Sequence, residues 1–187
     1  MPDDPRQIPT REIEVIIEDD AWRKVPRVRS LVARAAAAAY DVALPRSRRV
    51  AACVALVGDH AIAGLNIDFR GVKGPTDVLA FPQIDGGVRR IATSLGRRPR
   101  RDAVSLGDVI VAFGACKRGA RESGVALDRH VAHLVVHGAL HLLGHDHAGR
   151  TDTARMRKLE REALERLGIA DPYRAERAIT SSRRPKT

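Results

Sequence analysis

Aromatic residues are scarce in this chain of 187 residues: three Phe, two Tyr and one Trp, 3% in all. So few rings argue against a broad base-stacking platform, and they leave the core to Val, Leu, Ile and Ala. Cysteine is almost absent, with two residues. Cys53 and Cys116 lie in apolar stretches and read as small buried residues of a reducing compartment, which excludes a disulfide framework. The start, Met1-Pro-Asp-Asp4, has no apolar signal core. No apolar run approaches the roughly 18 residues of a membrane span, so a cytoplasmic location and no membrane partner are expected. Neither common Gly-rich phosphate loop is present, and there is no internal repeat.

What the chain has in excess is positive charge. Lys and Arg number 33 against 23 Asp and Glu, a formal net charge of +10. A genome that prefers Arg to Lys explains the choice of base but not the surplus, and nucleic acid is the commonest anionic partner of such a chain. The length suits one domain with tails. Residues 1–10, with three prolines, are expected to form a flexible arm, residues 11–173 a single domain, and residues 174–187 a basic disordered tail.

Alternation around Ile13, Val15 and Ile17 predicts a strand, and further strands are expected at 49–58, 77–82 and 106–112. Helical spacing from Trp22 to Ala39 predicts a helix with Pro26 in its first turn. Helices are also expected near 61–69, 116–123, 128–143 (with Asp128 as N-cap) and 151–167. About four strands interleaved irregularly with about five helices predict an α+β fold with a mixed sheet.

The most informative segment is His137-Gly-Ala-Leu-His141-Leu-Leu-Gly144-His-Asp-His147. Two His four apart share one helix face. Gly144 can end that helix in a left-handed conformation and turn the chain back to deliver a third imidazole. His137, His141 and His147 are assigned as ligands of one zinc ion with an open position, as catalytic zinc requires. Such an ion lowers the pKa of water from about 15.7 toward 7. His145 or Asp146 could replace His147 as third ligand, and Asp146 could instead cap the turn. His133, one turn before His137, is expected in a supporting or packing role, and His60 and His130 read as ordinary surface histidines. A zinc protease carries Glu directly after its first His, as general base. Here Gly138 holds that place, which argues against peptide hydrolysis by that route.

A second segment, Leu65-Asn-Ile-Asp-Phe-Arg70-Gly-Val-Lys73-Gly-Pro-Thr-Asp-Val-Leu-Ala-Phe-Pro82, puts Arg70 and Lys73 beside a turn and a strand. Arg grips phosphate in two-pronged fashion and keeps its charge. Near a hydrolytic metal it suggests a phosphodiester substrate. Arg70 and Lys73 are therefore candidate substrate-binding residues, with Arg70 also catalytic beside His137. Asp108, in Leu106-Gly-Asp108, either places a carboxylate near the site or merely begins a strand. Arg97, Arg98, Arg100 and Arg101 form a basic cluster that either grips RNA or is solvated.

Together these segments resemble the YbeY family of bacterial endoribonucleases, from about Val50 to Tyr173. The histidine segment matches that family's motif except at His145, where the family usually has Tyr. The segment from Asn66 to Pro82 resembles the family's second motif, with Ala80 in place of Ser and Gly74 in place of a common Lys. Leu106-Gly-Asp108, Met156, Glu160 and Asp171-Pro-Tyr173 extend the match. The resemblance implies a YbeY-like metal-dependent hydrolase domain over 11–173, with a zincin-like metal helix. By resemblance, His137, His141 and His147 bind zinc, and Arg70 is the arginine needed for RNA cleavage. It further implies a zinc-dependent endoribonuclease specific for single-stranded RNA, acting in maturation of the 3′ end of 16S ribosomal RNA and in ribosome quality control. Small-subunit ribosomal proteins and a ribosome-assembly GTPase are the implied partners. The rival class is a non-catalytic ribosome assembly factor with structural zinc; a metallopeptidase or amidohydrolase is a weaker alternative.

Overall fold

Two periodicities in the sequence become two kinds of element in the computed structural model, which describes residues 11–46, 48–83 and 103–173. Strand β1 (Arg11–Ile17) alternates half-buried and exposed side chains, with Ile13, Val15 and Ile17 turned to the core. Strands β2 (Val50–Val57), β3 (Val78–Pro82) and β4 (Val104–Ala112) complete a four-stranded sheet in the order β1-β2-β4-β3. The first three strands run parallel and β3 runs antiparallel to β4, so the sheet is mixed as expected.

Among the described residues five α-helices accompany this sheet: α1 (Val28–Ala43), α2 (Asp59–Arg70), α3 (Phe113–Glu122), α4 (Leu127–Leu142) and α5 (Arg150–Arg166), the last of which packs on α1 and α4. The fold is α+β. Strand alternation sorts the core into two parts. Val54, Leu56, Val109 and Val111 face α1, α4 and α5, where the alanine-rich face of α1 lets α4 lie close. Ala55, Val57, Leu79 and Ala112 face the other way, against Ile62 of α2. The site helix α4 thus contacts α1, β3 and β4.

One glycine fixes how β3 meets β4. Gly107 has φ +119, and a Cβ there would lie 2.1 Å from the Phe81 carbonyl oxygen. It sits where the β2–β4 register shifts, between the pairs Ala51–Ser105 and Cys53–Asp108. A bulge at a glycine bends the strand and lets the neighbouring backbone approach.

Four expectations need correction. Trp22 belongs to a separate 3-10 helix, Asp20–Lys24, where its indole Nε1 donates to the Val57 carbonyl at 2.9 Å. Pro26 precedes α1 instead of sitting in its first turn. Proline pushes the residue before it out of the helical region, and Val25 is extended accordingly (φ −92, ψ 113). Asp128 lies within the first turn of α4, not at its N-cap, which is Ala126. Its carboxylate accepts from the Arg129 N–H at 2.9 Å and meets the positive end of the helix. His130 is not a surface histidine: it is half-buried against Gly119. Cys53 is half-buried and Cys116 buried, and both are free.

Candidate metal centre

The last turns of α4 carry His137 and His141 on one face. The helix then closes as its sequence suggests: Gly144 has φ +78, its N–H donates to the His141 carbonyl at 2.8 Å, and the His145 N–H reaches the Leu140 carbonyl at 3.2 Å. This pair of bonds satisfies two end carbonyls and reverses the chain. Asp146 caps the turn by accepting the His147 N–H at 2.6 Å. The Thr153 hydroxyl ties the returning chain to α5 by donating to the Gly149 carbonyl at 2.9 Å.

The three rings converge. One ligand nitrogen from each of His137, His141 and His147 lies within 4.8 Å of the others. The Nε2 atoms of His137 and His141 are 3.1 Å apart. A tetrahedron of nitrogens at zinc distances has edges of about 3.3 Å, so the spacing fits a small cation. Neither His145 nor Asp146 joins the cluster. His145 is half-buried, and burial and then Arg155 hold its pKa down.

The electronics also fit. Burial first, then the His137 and His147 rings, lower the His141 pKa to about 4. Its imidazole is therefore neutral at pH 7 and keeps a nitrogen lone pair. His137 Nδ1 lies 2.7 Å from Oε1 of Glu160, a carboxylate with no solvent exposure. A carboxylate can only accept, so Nδ1 carries the proton and Nε2 presents its lone pair to the cluster. Burial alone would raise the Glu160 pKa; the facing groups of His133, His137 and Tyr173 outweigh it and hold the carboxyl well below its usual range. The Tyr173 hydroxyl donates to Oε2, His133 Nε2 stands 3.7 Å from Oε1, and the Arg157 guanidinium lies 4.6 Å from the Tyr173 ring centre. His133 thus takes the supporting place expected of it.

Glu160 was visible in the sequence only as part of a family resemblance, with no role attached. On α5 it looks like one charge among many. Its signal is position: Met156, Glu160, Ala163 and Leu164 form the buried stripe of the helix, so Glu160 is an acid where the helical period demands an apolar residue.

Position 138 explains why no protease-type Glu follows His137. Gly138 is buried, and a Cβ there would lie 2.7 Å from Val109 Cγ1 and 3.3 Å from Val78 Cγ2. The helix rests its backbone on the sheet at this point, and side chains as stiff as Val yield little.

Helix α2 delivers the arginine. Gly71, at φ +66, ends that helix, with its N–H donating to the Ile67 carbonyl at 2.9 Å. Asn66 is buried, and its Nδ2 donates to the Gly74 carbonyl at 3.0 Å, folding the following loop back on the helix. Arg70 at the helix end lines a cleft of about 460 Å³ with Val78, Ala80, His137, His141 and Asp146. The structure thus brings Arg70 to the histidines. Lys73 stands exposed on the loop and is not among the cleft-lining residues. Asp108 does not approach the histidines; it lines a separate groove with Glu14 and Cys53. The cluster Arg97, Arg98, Arg100 and Arg101 lies outside the described residues.

Comparison with known proteins follows the same lines. A family model described as Endoribonuclease YbeY matches residues 16–168. The chain is 37% identical to a protein named Endoribonuclease YbeY from Maricaulis maris over 161 residues, covering 86% of this chain and 91% of that one. It is 42% identical to the protein of the same name from Parvibaculum lavamentivorans over 168 residues, covering 88% and 86%. A Thermotoga maritima protein solved in solution shares the fold with a TM-score of 0.50 and 23% identity, covering 83% of this chain and 91% of that one. With three converging imidazoles, two of which share a cleft with an arginine, and with a family match over most of its length, this chain belongs to the YbeY endoribonuclease family.

Proposed function

We propose that the chain is a zinc-dependent endoribonuclease that cleaves single-stranded RNA, with one zinc ion held by His137, His141 and His147. The observation that carries the reading is the shared cleft: Arg70, at the end of α2, lines the same cavity as His137 and His141 at the end of α4. Bound zinc would supply Lewis acidity toward the phosphodiester. The chain's own groups do the rest. Glu160 fixes the His137 ring with Nδ1 protonated, so that Nε2 serves as a ligand. Arg70 offers two parallel N–H groups to the non-bridging oxygens and neutralises charge that builds on phosphorus. Lys73, exposed one turn beyond, binds the RNA backbone through charge with little base preference.

At the level of the cell, the proposed substrate is ribosomal RNA, in maturation of the 16S 3′ end and in ribosome quality control. Small-subunit ribosomal proteins and a ribosome-assembly GTPase are the proposed partners, and the cytoplasm is the proposed location. Family membership and the surplus of ten positive charges support this reading. No helix among the described residues is long and apolar enough to cross a membrane.

Structural zinc normally takes four protein ligands, and the described residues offer three here. That favours catalysis over a purely structural ion. The test is cleavage of an unstructured RNA by the wild type and by His137→Ala and Arg70→Ala, all at matched purity. Both variants are expected to lose about 100-fold or more, the scale on which removal of an electrostatic stabiliser is felt. Full cleavage by both would overturn the proposal, because a trace nuclease would then explain the wild-type signal.

A further inference from the structure

The chain has six aromatic residues, and five are committed. Trp22 and Tyr40 are fully buried. Phe113 packs edge-on against Trp22 at 5.3 Å, and Tyr173 serves Glu160. Phe81, half-buried on β3, packs against Leu79 and Ile62 in the smaller core. The sixth, Phe69, is 66% exposed and is the most exposed of the chain's large apolar side chains among the described residues. Its ring meets Phe81 edge-to-face, with centroids 4.9 Å apart and planes at 68°. That contact steadies the ring from one side and leaves the rest of it open. Phe69 directly precedes Arg70, and Phe81 lies between Ala80 and Pro82; Arg70, Ala80 and Pro82 line the cleft.

Phe69 does not stand alone: Ile67 and Val72, close to it in the chain, are also exposed, so the end of α2 carries a cluster of exposed apolar side chains of the kind that marks a binding surface. Here the neighbouring group is an arginine suited to phosphate, in a chain of net charge +10. We infer that Phe69, braced by Phe81, is a stacking site for one unpaired RNA base beside the phosphate held by Arg70. The inference rests on the endoribonuclease reading and deepens it. A strand whose phosphate meets Arg70 has its adjoining base within reach of Phe69, because consecutive Cα atoms are about 3.8 Å apart and both side chains are exposed at the end of α2. A paired base has both faces covered within its helix, whereas an unpaired base offers a free face. The ring therefore gives single-strand selectivity without reading sequence, because every base has a face to stack. The scarcity of aromatics rules out a broad platform but leaves room for one well-placed ring.

The experiment uses the full-length, zinc-loaded protein and an unstructured RNA 12-mer carrying one abasic position, moved along the strand in successive oligonucleotides. Variants are Phe69→Leu, which keeps apolar bulk without the ring, and Phe69→Trp, which restores a stacking face. Phe69→Leu is expected to bind the intact RNA roughly 5- to 100-fold more weakly, the range seen when one stacked base loses its ring. One abasic position should weaken the wild type by a similar factor and leave Phe69→Leu unaffected. Phe69→Trp should bind as tightly as the wild type, with indole fluorescence quenched by RNA. Equal affinities for wild type and Phe69→Leu, or no abasic position coupled to Phe69, would overturn the inference even if the wild type cleaves RNA and Arg70→Ala does not. If the wild type neither binds nor cleaves, the functional reading fails first and this inference with it. Wild-type self-association that Phe69→Leu abolishes, with RNA affinity unchanged, would also overturn it and assign the ring to a contact between copies.

Discussion

Glu160 connects burial to metal chemistry through one side chain. It is an ionised carboxylate with no solvent exposure, and His133, His137 and Tyr173 share the work of keeping it charged. Replacing it by Gln keeps the volume but weakens acceptance from His137 Nδ1. Glu160→Gln is expected to bind zinc about 10- to 100-fold more weakly, measured by competition with a chelator, while far-ultraviolet circular dichroism stays unchanged. Unchanged zinc affinity would remove Glu160 from the site. His141 carries a pH prediction. Its folded pKa is about 4 against an ordinary value of 6.5, so the unfolded chain takes the proton first as pH falls. The stability it contributes to the metal-free protein is present above about 6.5 and is lost as pH falls toward 4. The urea midpoint of chelator-treated protein should drop between pH 7 and pH 5, and His141→Gln should flatten that drop.

Between elements, the decisive contact is α4 lying on β3 and β4 at Gly138. A methyl group there meets Val109 and Val78. Gly138→Ala gains about 1 kcal/mol of helix propensity but pays about 1–3 kcal/mol for overpacking, so a lower urea midpoint is expected. Gly138→Glu, which would complete a protease-type motif, is expected to destabilise further and to confer no peptidase activity. Strands and helices were largely legible because period-2 and period-3.6 patterns are local. The Gly144 turn was legible because a left-handed helix end has its own residue signature. Sheet order was not legible, since the pairing of β2 with β4 depends on contacts far apart in sequence. The start of α1 was misplaced because Trp22 keeps helical spacing with Val25 and Val28 across two separate elements. Glu160 went without a role because its partner, His137, sits 23 residues away on another helix.

Across the whole molecule, the surplus of positive charge governs affinity, while the cleft governs reaction. Binding to single-stranded RNA should fall with salt, and each phosphate contact adds about 0.7 to the log–log slope. Arg70→Ala and Lys73→Ala should each reduce the slope by about that amount in a fluorescence-anisotropy titration, with only Arg70→Ala abolishing cleavage. An unchanged slope in Lys73→Ala would show that the RNA does not reach that loop. The central claim is that His137, His141 and His147, and not His145, make one metal-dependent cleaving centre. The most direct test is to titrate metal-stripped protein with zinc while following bound metal and RNA cleavage in the same samples. Both signals should saturate at one equivalent in the wild type and in His145→Ala, and both should fail in His147→Ala. Cleavage by the stripped protein, or undiminished cleavage by His147→Ala, would contradict it.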